Sequence, residues 1–170
     1  SLHSNQYQAV KFFDHQFDLV NVAQALHWFD YTKFWGEVAR VLKPGGLFIA
    51  YSYVWPEVSE EIDQALERYI KKIIEPYWAT NNQLAWDGYR SLAFPFEPIA
   101  TPDIDLENHW TMDQFLNYIQ TWSGTRRCID DIGPNFLEIA RSELKKVWGS
   151  PEKPKLVRNP LTIIAGFSWE

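Results

Sequence analysis

Residues 17–53 constrain the fold most, because two apolar runs flank a helix pattern there. In the first run, residues 17–22, the apolar or β-branched residues are Phe17, Leu19, Val20 and Val22, and the run is too short for a helix, so it predicts a buried strand. The helix pattern then repeats apolar residues at a spacing of three or four: Phe34, Val38, Val41 and Leu42. The second apolar run predicts another strand over 47–53. Strand, helix and strand in this spacing predict a parallel βαβ unit with a right-handed crossover.

The ends of this unit also carry signals. Asp30 or Thr32 is suited to cap the helix, and Pro44-Gly45-Gly46 is expected to end it. In open α/β sheets, ligands bind at the carboxyl ends of strands, and residues 23–28 follow the first strand. We expect that strand to lie at a sheet edge, covered either by residues 7–13 or by a second copy of the chain in a dimer.

The remainder of the chain alternates helix patterns, one loop and late strands. A long helix is predicted from Trp55-Pro56 to Pro76, with its late cations, Lys71 among them, on a solvated face. Its apolar stripe is Val58, Ile62, Ala65, Leu66, Tyr69 and Ile73. Residues 77–98 show no period and predict an aromatic-rich loop or lid. The later predictions are a strand over 99–107, a helix from Thr111 with a capping box, a helix from Gly133-Pro134 to Gly149 whose stripe ends on Val147 or Trp148, and a strand over 161–167.

Composition excludes several classes of function. The net charge of −6 argues against general nucleic-acid binding, and no apolar run approaches the ~20 residues that span a bilayer. Cys128 is the single cysteine, which excludes an internal disulfide and paired-cysteine metal sites and fits a reducing, cytoplasmic compartment. No metal-ligand spacing joins His3, His15 or His109 to carboxylates. Nine tryptophans predict an aromatic-lined core or pocket.

Three motifs stand out: FDLVNVAQALHWFD at 17–30, FWGEVARVLKPGG at 34–46 and the strand that follows. They resemble motifs of class I S-adenosylmethionine-dependent methyltransferases, in particular the branch of trans-aconitate methyltransferase-like proteins. WDGYR at 86–90 and WTMDQFLNYIQTWS at 110–123 are similar to the cap and late regions of that branch. The resemblance implies an α/β fold: the C-terminal part of a doubly wound Rossmann-like methyltransferase sheet with a helical, aromatic-rich cap insertion.

The resemblance also implies a division of the chain and a cofactor. Residues 1–170 would form a single partial domain, with a βαβ core at 15–53, a cap insertion at 54–98 and late strands and helices at 99–170. The family's Gly-rich loop and ribose-holding acidic residue have no counterpart here. We therefore expect an N-terminally truncated fragment that is inactive alone and binds S-adenosylmethionine weakly or not at all.

The implied reaction is methyl transfer to a small-molecule acceptor, such as a carboxylate, which would require no general base. Val22, Ala23 and Gln24 would lie along the cofactor, and His27 and Trp28 would sit between cofactor and acceptor. The candidates for acceptor binding are Tyr53, Trp55, Trp86, Tyr89 and Arg90.

The sequence also allows other interpretations of these residues. His27 is equally well explained as a structural histidine, and Trp28 and Tyr53 as core aromatics. Arg90 is favoured as a surface partner of Asp87 or Glu97. The chain as a whole is alternatively a non-catalytic ligand-binding or protein-interaction fragment of the methyltransferase fold. An unrelated nucleotide-binding oxidoreductase is a third reading, against which stands the absence of any phosphate loop.

Overall fold

A computed structural model describes residues 12–169, which divide into two compact units. Within that range, the first unit comprises residues 12–51, 93–101 and 163–169, and the second comprises 52–92 and 102–162. The division of the chain at residues 54 and 99 stays a prediction.

The elements are strands and short helices. The strands are β1 (Phe17–Ala23), β2 (Leu42–Tyr53), β3 (Glu97–Pro98), β4 (Asp105–Trp110) and β5 (Lys155–Phe167). The helices are α1 (Tyr31–Val41), α2 (Glu60–Leu66), α3 (Lys72–Ile74), α4 (Asn82–Trp86), α5 (Met112–Gln120), α6 (Ser123–Ile132) and α7 (Asn135–Trp148). The strand order is β1-β2-β5-β3, and β4 pairs with β5.

The predicted βαβ unit is confirmed. β1 and β2 are parallel neighbours, with Val22 opposite Ala50 and Ala23 opposite Tyr51. Asp30 caps the intervening helix by accepting the Thr32 backbone N–H at 3.2 Å. The parallel pair and the mixed α/β sheet confirm the predicted fold class.

The end of α1 differs from the prediction. The helix ends at Val41, and Leu42 is already extended at ψ 141°, so Pro44-Gly45-Gly46 belongs to β2. Proline disfavours helical backbone at the residue that precedes it, so the chain leaves the helix ahead of Pro44. The ladder between β1 and β2 shifts register between Phe17 and Leu19, beside this segment. Gly45 at φ +70° supplies the left-handed backbone that the irregularity requires.

The prediction that β1 is buried throughout is wrong. Val22 is buried, whereas Leu19 is 50% exposed. Among the described residues β1 pairs on one side only, with β2, so half of its backbone groups face away from the ladder. Of the segment expected to cover it, residues 7–11 lie outside the described residues. The Phe12 ring meets the Phe17 ring edge-on at 4.9 Å.

The core of the first unit is aromatic. Phe48 on β2 is fully buried. Its ring centroid lies 5.2–6.1 Å from those of four other rings: Phe34, Trp35, Phe94 and Phe96. Gly166 on β5 makes room for this packing, because a Cβ there would lie 2.7 Å from the Phe94 ring. Aromatic pairs of this kind add stabilisation beyond their buried area.

In the second unit, the long helix starts later than predicted. Glu57 pairs with Arg158 through two backbone hydrogen bonds of 2.8 and 2.9 Å, which hold Trp55-Pro56-Glu57 out of the helix. After α2, residues Glu67–Lys71 form a π-helical turn. The wider turn brings positions four apart onto one face, so Ile70 and Ile74 are fully buried instead of the predicted Tyr69 and Ile73.

Other boundaries also moved. Residues 77–98 include the helix α4, β4 begins at Asp105, and β5 begins at Lys155 because it pairs residue by residue with β4. The capping box at Thr111 is confirmed, with both reciprocal bonds to Gln114. The helix α6 was not predicted, since its buried face consists of Gly124, Thr125 and Cys128 in place of large apolar residues.

Helix α7 completes the core of the second unit. It ends at Trp148, which is 2% exposed whereas Val147 is 37% exposed. The largest fully buried side chains of this core are Trp148, Phe115, Ile62, Leu66, Ile70, Ile74, Leu116, Ile119 and Leu144. Among the described residues, no helix has both the length and the apolar character needed to cross a bilayer.

Two helical glycines give a matched test of packing. A Cβ on Gly124 would lie 2.7–2.9 Å from the Trp78 indole, whereas a Cβ on Gly36 would meet nothing within 4 Å. We expect Gly124→Ala to lower the free energy of unfolding by about 1–3 kcal/mol through overpacking. Gly36→Ala should raise it by about 0.5–1 kcal/mol. Thermal unfolding followed by circular dichroism measures both, and equal shifts in the same direction would contradict this packing.

Candidate functional site

The carboxyl ends of β1 and β2 meet at one edge of the sheet in the first unit. Ala23 and Tyr51 form the last paired position, and the Gln24 N–H donates to the Tyr51 carbonyl at 2.9 Å. Gln24 then turns the chain out of the strand with a left-handed backbone at φ +53°. Non-glycine residues in this conformation are uncommon and cluster at functional sites.

Two buried polar atoms next to this turn have no hydrogen-bond partner among the described residues. They are Nε2 of Gln24 and Nδ1 of His27. Leaving such a group unpaired costs about 1–3 kcal/mol, so these atoms are available to a ligand that restores the hydrogen bonds. The observation fits a polar cofactor at the carboxyl end of the sheet.

His27 and Trp28 lie on one turn of 3-10 helix, Leu26–Trp28. Leu26 is 1% exposed and anchors the turn, and the Tyr31 hydroxyl donates to the Leu26 carbonyl at 3.1 Å. His27 is 5% exposed, and burial lowers its pKa. Its imidazole is therefore neutral at pH 7, with one donor and one acceptor nitrogen. Trp28 is 46% exposed, with its ring centroid 5.0 Å from that of His27.

The first-unit candidates therefore lie together. Val22 is buried and anchors the end of β1, Ala23 is exposed, and the next five residues carry the two unpartnered polar atoms and an exposed indole. The interpretation of Trp28 as a core aromatic is wrong, because nearly half of its surface is open.

Four tryptophans form a cluster in the second unit, and two of them are predicted site residues. Trp55 is central, with ring centroids 5.1 Å from Trp86, 5.3 Å from Trp122 and 5.7 Å from Trp78. Trp55, Trp78 and Trp86 each keep part of their surface exposed. Tyr53, at the end of β2, is 39% exposed.

Tyr89 and Arg90 have different environments. Tyr89 is 2% exposed, has a left-handed backbone at φ +57°, and its hydroxyl lies 2.5 Å from the Ser52 Oγ. Burial raises the pKa of this phenol. Arg90 is exposed and forms no ion pair within residues 12–169; Asp87 instead accepts a hydrogen bond from Ser91 at 2.8 Å.

The prediction that Lys71 lies on a solvated face is wrong. Its side chain is 19% exposed, and its Nζ lies 5.0 Å from the centre of the Trp55 ring. Lys71 is the last residue of the π-helical turn, which no sequence pattern predicted.

Comparison with known proteins identifies the family. The model of the family described as "Methyltransferase domain" matches residues 2–50. A protein of Dictyostelium discoideum, named as a methyltransferase, is 30% identical over 134 residues, and the match covers 77% of this chain. A solved structure from Anaeromyxobacter dehalogenans, assigned as a type II methyltransferase, is 34% identical with a TM-score of 0.85; the match covers 93% of this chain and 67% of that one. The chain belongs to the methyltransferase family.

The chain covers only part of the length of these relatives. It spans about half the length (51%) of the Dictyostelium protein and 67% of the Anaeromyxobacter one. The resemblance to methyltransferases is confirmed at the level of the family, and the trans-aconitate branch stays a prediction.

The buried imidazole of His27 predicts a pH dependence. Its pKa is lower in the folded chain than the value of about 6.5 in the unfolded chain, so the unfolded state binds more protons as the pH falls below about 6.5. The folded state therefore loses stability as the pH falls through about 6.5. In urea unfolding, His27→Gln should reduce the dependence of the unfolding free energy on pH. His109→Gln, at an exposed position, should leave that dependence unchanged. A slope unchanged by His27→Gln would contradict the assignment.

Proposed function

We propose that the whole protein transfers a methyl group from S-adenosylmethionine to a small-molecule acceptor. Membership of the methyltransferase family supports the reaction class. The observation that carries the proposal is the pair of buried, unpartnered polar atoms on Gln24 and His27, which lie just beyond the carboxyl end of β1.

When bound, S-adenosylmethionine supplies an electrophilic methyl group. The protein's main tasks would then be to position the two reactants and to exclude water. Gln24 Nε2 would donate a hydrogen bond to the cofactor, and Val22 and Ala23 would line the same edge. The neutral His27 imidazole would orient a polar group of cofactor or acceptor through Nδ1. The exposed Trp28 indole would shield the reacting atoms from water.

We further propose a carboxylate as the acceptor, on the basis of the resemblance to the trans-aconitate branch. A carboxylate is already ionised at pH 7, so its attack requires no general base. Tyr53, Trp55, Trp86, Tyr89 and Arg90 are the proposed acceptor-binding group. Among them, Arg90 has an exposed guanidinium without an ion pair in the described part of the chain, and Tyr89 would act indirectly through its bond to Ser52.

We propose that the nucleoside of the cofactor is bound by a segment that this sequence does not include. No Gly-rich loop of the family's type occurs among its eight glycines. The 170 residues would then supply the acceptor-facing part of the catalyst and be inactive alone. An in-frame Gly-rich loop encoded directly upstream of Ser1 would support this proposal.

Calorimetric titration with S-adenosylhomocysteine tests the cofactor proposal. The 170-residue chain should bind weakly or not at all, and a version extended through an upstream Gly-rich loop should bind with one-to-one stoichiometry. In the extended protein, Gln24→Ala should weaken binding roughly fivefold, for the loss of one hydrogen bond of about 1 kcal/mol. Gln83→Ala, at an exposed position, is the control. Tight one-to-one binding by the 170-residue chain would refute the truncation.

We also propose that β1 pairs with a second copy of the chain. Its outer edge has no partner among the described residues, and Leu19 on it is 50% exposed.

Light scattering at increasing concentration tests the dimer. Leu19→Lys places a charge on the proposed interface and should shift the mass toward the monomer. Leu106→Lys is the matched control, since Leu106 is a leucine of β4 that is 44% exposed. A monomeric parent protein, or an equal effect of both substitutions, would refute the β1 interface.

A further inference from the structure

The turn that carries His27 and Trp28 is short and weakly closed by its own backbone. It is one turn of 3-10 helix, a geometry with poorer hydrogen bonds than an α-helix. The Trp28 N–H donates to the Ala25 carbonyl at 3.0 Å, and the Phe29 N–H donates to the Leu26 carbonyl at 3.3 Å, which is longer than usual. The position of His27 therefore depends on contacts from outside the turn.

One outside contact reaches the peptide group next to His27. The Tyr31 hydroxyl donates to the Leu26 carbonyl at 3.1 Å. A peptide group is planar, so this carbonyl lies in one plane with the backbone nitrogen of His27. The same oxygen accepts the Phe29 N–H, so both of its lone pairs are used. The Tyr31 bond therefore fixes the orientation of the peptide group that leads into His27.

Tyr31 is itself held by the aromatic core of the first unit. It is the first residue of α1, and its ring stacks on that of Trp35, one turn later, with centroids 5.8 Å apart and planes inclined by 15°. Trp35 meets the fully buried Phe48 edge-on at 5.2 Å. Because these contacts already restrict the phenol ring, its hydroxyl loses little freedom when it binds the Leu26 carbonyl. A continuous series of contacts thus leads from the core to the turn.

Other contacts fasten this segment on either side of His27. The Leu26 side chain is 1% exposed and anchors the start of the turn. After the turn, Phe29 stacks on Phe34 with centroids 4.3 Å apart and planes 4° from parallel. Neither contact involves the peptide group between Leu26 and His27. The Tyr31 bond is separable from both, because Tyr31→Phe keeps the aromatic ring and removes only the hydroxyl.

We propose that Tyr31 is a positioning residue that holds His27 buried beyond the carboxyl end of β1 with its Nδ1 atom presented to a ligand. The Tyr31 hydroxyl acts through the Leu26 carbonyl, and no contact with cofactor or acceptor is required of it. His27 is 5% exposed, and its Nδ1 has no hydrogen-bond partner among residues 12–169. Without the Tyr31 bond, the turn would open more often and water would reach the imidazole. The role of His27 in catalysis rests on the proposed methyl transfer, whereas the effect of Tyr31 on His27 does not.

An NMR pH titration of the imidazole signals of the 170-residue chain tests the proposal. Burial lowers the pKa of His27, so its signal should titrate below the value of about 6.5 of an exposed imidazole. In Tyr31→Phe, where water reaches the ring more often, this pKa should rise toward that value. The signal of His27 is assigned by its absence from the spectrum of His27→Gln.

Tyr77→Phe is the matched control. It also removes one hydrogen bond of a tyrosine hydroxyl, which Tyr77 donates to the Asp131 carboxylate at 2.6 Å, but it does so in the second unit. This variant should leave the titration of His27 unchanged, whatever it does to the free energy of unfolding. A general loss of stability therefore does not imitate the expected result.

Amide hydrogen exchange gives a second measurement, which starts from the unmodified protein. The Trp28 amide, bonded to the Ala25 carbonyl, should be protected from exchange in the unmodified chain. In Tyr31→Phe it should exchange about fivefold faster, as expected for the loss of one net hydrogen bond, and in Tyr77→Phe it should exchange at the unmodified rate. Circular dichroism confirms that each variant is folded.

Three outcomes would overturn the proposal. They are an unchanged pKa of His27 in folded Tyr31→Phe, an equal change in both variants, and a Trp28 amide that exchanges without protection in the unmodified chain. Because these measurements use no cofactor, their failure leaves the methyl-transfer proposal to the S-adenosylhomocysteine titration. A failure of that titration in the extended protein leaves the positioning of His27 by Tyr31 standing.

Discussion

The parallel ladder between β1 and β2 is the constraint on which the candidate cofactor site depends. It sets Ala23 opposite Tyr51, so both strands end at the same edge and Gln24 turns away under one further backbone hydrogen bond. The irregular segment around Gly45 fixes the register from the other end of β2. Because a slip of one residue would turn every side chain to the opposite face, the site requires this register.

Burial without pairing is the chemical theme of both units. In the first, Gln24 and His27 each keep a buried polar atom without a partner among the described residues; in the second, Trp78 and Thr125 each do the same through Nε1 and Oγ1. Native proteins rarely leave such groups unmatched without a reason, and a ligand that completes the bonds is one physical reason. Tyr89 shows the contrasting case, since its strained backbone and buried hydroxyl are matched by Ser52 and make it a supporting residue.

The sequence predicted some elements well and others poorly, for identifiable reasons. β1, α1, α5 and α7 carry local signals, namely an apolar run, an Asp30 cap, a capping box at Thr111 and a glycine stop. Helix α6 lacks such signals because its buried face consists of small residues. Among the site candidates, the turn after β1 follows from strand direction alone, whereas the cluster around Trp55 has no sequence period.

By itself, the sequence determined the βαβ unit, its parallel direction and the family, because these depend on local periodicity and short motifs. Only the tertiary structure decided that β1 is half exposed, that Trp28 is open while His27 is buried, and that Lys71 lies over an indole. Exposure depends on which elements lie alongside, and so does the contact between Lys71 and the Trp55 ring. Both arise from contacts between residues distant in the chain, which local patterns do not encode.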